Sequence, residues 1–407
     1  MSRISSLDGL RGWFLITMTL SHLVLRQDHW ISKVHFRHIM FVESAQGFIF
    51  ISGLLFGIVQ FRRIETKGMP FVWRSSLRRA ATLWVATVSL TFFLLACRDV
   101  LPFGMDVFRN WLGVTGLHDL TRVAAVILLT FQPTFLDILP QYILYLLLAP
   151  AVLIFIRKGW WPVVAALAVI CWMAAQLGLM TPVSRIVDQL FTTTDRQGLR
   201  MAFDPMGWQL LFLSGVIFGA LWRRGDLRTA SLFPPGAAWP IAALAVLMFF
   251  IPLRVITAHG WMDNEVIKTF VVMERRSNFG PVYLLNFIAA AWLLGWLLTR
   301  GPEISSRALG MVTAGLHHLV SLPLIVCLGR HSLLTYIWHV LLIYSLRYVD
   351  RAILPLEGWP SDLAIITVFA LLFVPALIVE RWKQGPSMPP VPFVPAPVPV
   401  ETPRSKR

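Results

Sequence analysis

Apolar residues gather into stretches close to 20 residues long, divided by short polar or basic connections, and this pattern predicts about ten membrane-spanning helices. They fall near 9–26, 45–61, 78–96, 138–156, 160–180, 206–222, 238–256, 281–299, 331–348 and 362–380. The interval 305–328 has room for a further short or re-entrant helix. The fold class expected is an all-α polytopic membrane protein, a bundle of about ten transmembrane helices, with residues 1–384 as one integral membrane domain. The longest connection, 98–136, contains an amphipathic run from His118 to Phe131 suited to the membrane interface. From Gly385 onward closely spaced prolines force extended chain, so 385–407 reads as a Pro-rich disordered tail.

Polar residues break this pattern most sharply in the first span. At about 100° per residue, Arg11 and His22 fall within roughly 20° of one azimuth, and Asp8 lies within about 40° of His22. All three share one face, with His22 about 16 Å further along the helix than Arg11. Ionisable groups at bilayer depth cost roughly 3 kcal/mol each on insertion scales, so an aligned set of three marks a functional face. A second internal pattern is the echo between FISGLLFG at 50–57 and FLSGVIFG at 212–219. Each copy carries a Gly-xxx-Gly spacing, Gly53 with Gly57 and Gly215 with Gly219, which lets helices approach closely in lipid.

Composition agrees with the span pattern and excludes an ordinary soluble domain. The 407 residues are 57% hydrophobic and only 14% charged, with a mean hydropathy of +0.68. The net charge of +15 has to be read by loop. With the N-terminus inside, more than half of the 36 Lys and Arg residues fall on cytoplasmic segments, Arg62, Arg63, Arg78 and Arg79 among them. This bias predicts both termini in the cytoplasm and explains the charge without nucleic acid as a partner. The first segment is followed by RQDHW rather than a small-residue cleavage site, and so reads as a retained span. Cys97, Cys171 and Cys327 lie far apart and suggest neither a disulfide framework nor a metal motif.

Four constellations carry candidate chemistry. Asp8 and Arg11 form an i, i+3 pair that lowers the cost of burying each charge, leaving His22 as a base suited to a hydroxyl proton at neutral pH. Glu43 and Gln46 enter the second span; Glu43 either orients His22 or sits in water at the outer end. The ninth span is the most polar, with His331, Thr335 and His339 on one side and Ser332, Tyr336 and His339 on an adjoining stripe. Such a face meets protein or a water-filled cavity, as a structural network or as part of a reactive site. In QPTFLDILPQYI, 132–143, Asp137 is placed to cap the fourth span. Gln132 and Asp137 are equally placed to bind a polyhydroxyl acceptor, with Trp111 or Trp261 as a stacking face.

The spacing of Arg11 and His22 resembles the first span of the acyltransferase 3 superfamily, and Gly329, Ser332, Tyr336 and His339 resemble its late motif. Within that superfamily the chain is most similar to OpgC-type enzymes, which succinylate osmoregulated periplasmic glucans. The similarity is carried by SLDGLRG at 6–12, FIFISG at 48–53, QPTFLDILPQYI at 132–143 and FDPMGWQLLF at 203–212. One departure concerns the Ala-Glu pair of the OpgC type, which here reads Ala45-Gln46 with Glu43 three residues earlier.

The resemblance implies transfer of an acyl group, succinyl in the OpgC type, from cytoplasmic acyl-CoA to hydroxyls of periplasmic glucans at the bacterial inner membrane. Acyl-CoA is then a co-substrate and no bound cofactor is expected. Catalytic roles are expected for His22, Arg11, Glu43 and His339, with Asp8, Ser332 and Tyr336 in support. Arg62, Arg63, Arg78 and Arg79 would meet the acyl-CoA phosphates, and Gln132 and Asp137 the acceptor. Membrane lipids and glucan-biosynthesis proteins are the other expected partners. Competing readings are an O-acetyltransferase acting on another envelope polysaccharide, a non-catalytic glucan transporter lined by the same stripes, and an assembly partner of glucan synthesis.

Overall fold

The computed structural model describes residues 5–384 apart from 27–28, 34, 192–199, 260, 262–274 and 304–305; the Pro-rich tail, 385–407, lies outside the described residues. Helices of eight residues or more are numbered along the chain. They are α1 (Ser5–His22), α2 (Ser44–Lys67), α3 (Met69–Val100), α4 (Gly104–Leu112), α5 (Leu120–Ile127), α6 (Ile138–Arg157), α7 (Trp161–Gln176) and α8 (Thr181–Leu190). There follow α9 (Pro205–Arg224), α10 (Ala238–Ala258), α11 (Pro281–Arg300), α12 (Arg307–Ser321), α13 (Pro323–Arg330), α14 (Ser332–Tyr348), α15 (Trp359–Leu372) and α16 (Val374–Gln384). The described residues hold no strand, only one isolated bridge between Phe131 and Arg200.

Each predicted span falls on a helix. Among the described residues, eight segments are long and apolar enough to cross a membrane, and up to ten are if each of two bent pairs counts as one span. The first pair is α7 with α8, bent by 69°, and the second is α12 with α13, bent by 52°. The apolar faces of these helices stay outward because lipid replaces water as their solvent: α10 buries only 6% of its apolar window, whereas α2 buries 78%. The polar stripe keeps α1 out of that set, yet α1 is held among α2, α13 and α14 with Asp8, Arg11 and Thr19 all buried.

Direction follows from contacts at the helix ends. At one face of the bundle Arg223 of α9 pairs with Glu65 of α2 at 2.8 Å, and Arg224 donates to the carbonyl of Ile156 at the end of α6. The opposite ends of α2 and α6, and the segments that lead into α9 and α11, meet around His22, with Trp208 and Gly207 of α9 against Ser277 and Asn278 just before α11. Helix α14 runs parallel to α1, since Ser332 lies by Arg11 and His339 by His22. Because α11 ends and α14 begins at the Arg11 face, α12 and α13 start and finish there, and the pair is re-entrant. Its break at Leu322–Pro323 is where the second helix starts, with proline in its first turn. Among the described residues, leaving that pair aside, α1 and nine other segments run from face to face of the bundle, and Ser5 and Gln384 end at the same face. His331 and Arg330 at the start of α14 both contact Glu380 of α16, which fixes that end.

Small residues set the two closest helix seams. A Cβ on Gly53 would lie 2.2 Å from the Phe212 carbonyl oxygen, and one on Gly215 would lie 2.3 Å from that of Phe50. Gly57 and Gly219 are equally tight against Val216 and Leu54, so the two echoed motifs are each other's packing partner along α2 and α9. The other seam joins α1 to the re-entrant pair. There Gly9 and Gly12 meet the backbone of Val320 and Ile325, and Gly329 meets the backbone of Asp8.

Candidate functional site

A cavity of about 250 Å³ opens at the face where α1 ends, bounded by that end, by the N-terminal ends of α2 and α6, and by the segment before α9. His22 forms part of its wall. The His22 Nδ1 lies 3.2 Å from His339 Nε2, and His339 Nδ1 contacts the backbone carbonyl of Tyr336. A carbonyl only accepts, so His339 carries its proton on Nδ1 and offers a lone pair at Nε2. His22 must then donate from Nδ1, which leaves its Nε2 as the unprotonated, basic nitrogen. The ring is held flat on Phe135, with centroids 4.1 Å apart. A base with one nitrogen tied and the other free is the arrangement that proton abstraction needs.

Two loops complete the wall, and their sequences explain why. In the segment before α6, Leu129 and Phe135 have φ of 61° and 72°, a left-handed conformation that bulky side chains avoid. Tyr336 donates to the Phe135 carbonyl, and Tyr344 to that of Thr134 at 3.1 Å, so α14 clamps this strained turn beneath His22. In the segment before α9, Asp204 caps the helix by accepting from the N–H groups of Met206 and Gly207. The Trp208 indole donates to the Ser277 carbonyl at 3.0 Å, and Gly207 leaves room for Asn278. The turn that carries Arg276 is thereby fixed on the first turn of α9.

The electrostatics of the cavity mix both signs. Arg37, Arg200 and Arg276 face it together with Glu43 and Asp137. Arg276 Nη1 lies 3.3 Å from Glu43 Oε1. Burial works against the Arg276 charge, but Glu43, Tyr283 and Asp137 outweigh it and hold the guanidinium more firmly protonated than usual. Burial pushes the Asp137 carboxyl up to about 6, against the pull of Arg276 and Arg200. Burial also lowers His35 to about 4, opposed by its bond to the Thr17 carbonyl, and its other nitrogen accepts from the Arg37 N–H. His35 is thus a neutral structural imidazole with both nitrogens bonded, whereas His22 turns its Nε2 to the cavity.

The sequence-predicted residues divide into two groups. His22, Glu43, Gln132 and Asp137 line the cavity, with His339 behind His22 and Tyr336 behind Phe135. Glu43 rather than Gln46 faces it, because the Gln46 Oε1 accepts from the Glu43 N–H at 3.0 Å and Gln46 is fully buried. Arg11, Ser332 and Asp8 lie deeper: Arg11 Nη2 donates to Ser332 Oγ, and its guanidinium sits over Phe48. Arg62, Arg63, Arg78 and Arg79 lie at the far face, around the turn from α2 to α3.

Two expectations need correction. Asp137 occupies the cap position of α6 but its side chain makes no capping bond, since the carboxyl turns to the cavity. Trp111 is buried against Phe135, Tyr344 and Arg347 and serves as a wall rather than an open stacking face. Trp261 is 71% exposed and lies tilted against His259 beyond α10. The cations Arg37, Arg200 and Arg276 escaped sequence reading because they sit in loops with no periodicity to single them out. Cys327, His331 and Glu380 also gather, with ligand atoms within 4.8 Å of one another. Glu380 is already engaged by His331 at 2.9 Å and by Arg330, so the group ties α13 and α14 to α16.

The sequence pattern of one family, described as OpgC protein, matches residues 3–384, which takes in every numbered helix. No curated protein and no solved structure shows significant similarity to the chain.

Proposed function

The chain belongs to the OpgC protein family, and from that premise we propose that it is a membrane O-acyltransferase. It moves a succinyl group from cytoplasmic acyl-CoA to hydroxyls of a periplasmic glucan, in the bacterial inner membrane. The observation that carries this reading is the His22–His339 pair with a free Nε2 at an accessible cavity. In the transfer step His22 Nε2 takes the proton of the acceptor hydroxyl as its oxygen attacks the thioester carbonyl. The tetrahedral intermediate collapses to the new ester, and the departing thiolate of CoA receives the proton held by His22, which restores the base. Glu43 and Asp137 hold neighbouring sugar hydroxyls as acceptors of hydrogen bonds.

Three arginines around one small cavity favour an acyl group that ends in a carboxylate, as succinyl does, over an uncharged acetyl group. The basic turn at Arg62, Arg63, Arg78 and Arg79 is suited to the phosphates of the donor at the opposite face, a role that it shares with lipid headgroups. Arg11 and Ser332 stand between the two faces, where a thioester arm drawn into the bundle would pass.

The test is deletion of the gene followed by mass spectrometry of periplasmic glucans, with complementation by wild type and by His22→Ala. Deletion should remove ester-linked succinyl. His22→Ala should cut transfer by about 10²- to 10⁴-fold, the usual weight of a general base. Unchanged glucan substituents in the deletion strain would reject the substrate; full restoration by His22→Ala would reject the base.

A further inference from the structure

A second cleft opens on the same face as the cavity, with a volume of about 370 Å³, between α4 and the end of α14. Asp106 and Asn110 reach it from one side of α4, four residues apart, Phe103 reaches it from just before that helix, and Arg347 and Arg351 close it from the other side. Phe103 is 69% exposed with a φ of 58°. A left-handed conformation is unfavourable for a bulky aromatic residue, and such strain collects at binding sites. The turn that carries it is fixed, because Tyr348 donates to the Pro102 carbonyl at 3.0 Å. Arg347 is equally fixed, with Nε donating to the Val107 carbonyl at 2.8 Å and its guanidinium 4.2 Å from the Trp111 ring centroid.

The cleft and the cavity share a wall. Arg200, which lines the cavity, donates to the backbone carbonyl of Asn110 and to Thr134 Oγ1, both at 2.9 Å. The Arg347 guanidinium connects to the His22 ring through the rings of Trp111 and Phe135, each in contact with the next.

From this arrangement we infer that the cleft is a distal subsite for a polyhydroxyl polymer, holding sugar units that neighbour the one presented to His22. The inference rests on the function proposed above. The cavity volume of about 250 Å³ is below the usual range of roughly 300–1,000 Å³ for small-ligand pockets, so a polymeric acceptor must continue outside it. The donor and acceptor groups of the cleft, two guanidiniums, one carboxylate and one amide beside an aromatic ring, match the alternating hydroxyls and apolar face of a neutral sugar. A phosphate or lipid headgroup would meet the Asp106 carboxylate at close quarters.

The experiment uses the full-length protein in nanodiscs with succinyl-CoA and two acceptors, a two-sugar glucan and one of eight or more sugars. Phe103→Gly removes the ring while relieving the backbone, so a folding defect is not expected, and unchanged melting checks this. Phe103→Gly and Asn110→Ala should each raise KM for the long acceptor about tenfold, equivalent to roughly 1.4 kcal/mol, with kcat and all constants for the short one unchanged. Equal effects on both acceptors, or none on either, would overturn the subsite. So would loss of stabilisation by phosphatidylglycerol in Phe103→Gly with no change in glucan kinetics, which would make the cleft a headgroup site. If wild type acylates neither acceptor, the function proposed above fails; retention of long glucan by wild type and its loss in Phe103→Gly would still support the subsite.

Discussion

His22 and His339 differ in what they do although they touch. His22 faces the cavity, whereas His339 fixes which nitrogen of His22 is basic, and in the proposed reaction acts as a positioning residue. His339→Gln keeps a group that accepts from His22 Nδ1 and should retain more activity than His339→Leu, with the difference in kcat rather than KM. Steady-state kinetics on short acceptors would read it. Asp137 makes a separate prediction through pH. Its carboxyl titrates near 6 when folded and near 4 when unfolded, so the folded state binds more protons in between. Its contribution to stability is therefore full below about pH 4 and is lost as pH rises through about 6. Asp137→Asn should flatten that interval in melting curves recorded from pH 4.5 to 7 and raise the melting temperature at pH 7.

Helices were legible where a single property repeats along them. The spans follow from apolar length, and the Ser332, Tyr336 and His339 stripe of α14 does face α1 and the cavity wall, while His331 turns to α16. Pairing between helices was only half legible. The echoed Gly-xxx-Gly motifs announce close approach, but sequence alone does not say that each is the other's partner. The cavity cations were illegible because Arg200 and Arg276 are placed by loop contacts across 60 residues or more, namely Arg200 with Thr134 and Arg276 beside Glu43. The α2–α9 seam yields a prediction at this scale. Gly53→Leu or Gly215→Leu forces a side chain into a backbone carbonyl and should destabilise the detergent-solubilised protein by several kcal/mol. Melting temperature measures this, and Gly310→Leu, where a Cβ meets nothing within 4 Å, is the control.

At the scale of the molecule, the helix directions place the cavity and the basic turn of α2 and α3 on opposite faces, with Ser5 and Gln384 on the basic one. Charge bias predicts that this face is the cytoplasmic one. Single cysteines at Phe103 and Arg62 in a background without Cys97, Cys171 and Cys327 should label differently with an impermeant maleimide on intact spheroplasts. Phe103→Cys should react and Arg62→Cys should react only after permeabilisation; the reverse pattern would invert the protein. The two imidazoles bear on this sidedness as well. A proton received at His22 can shift its charge onto His339, but the next atom along is the Tyr336 carbonyl oxygen, which takes no proton onward. The pair is a blind alley with one port, so what enters from the cavity must return to it. Acid–base chemistry through this pair is insulated from the proton-motive force, and a membrane held at any potential should leave its pH–rate profile in place.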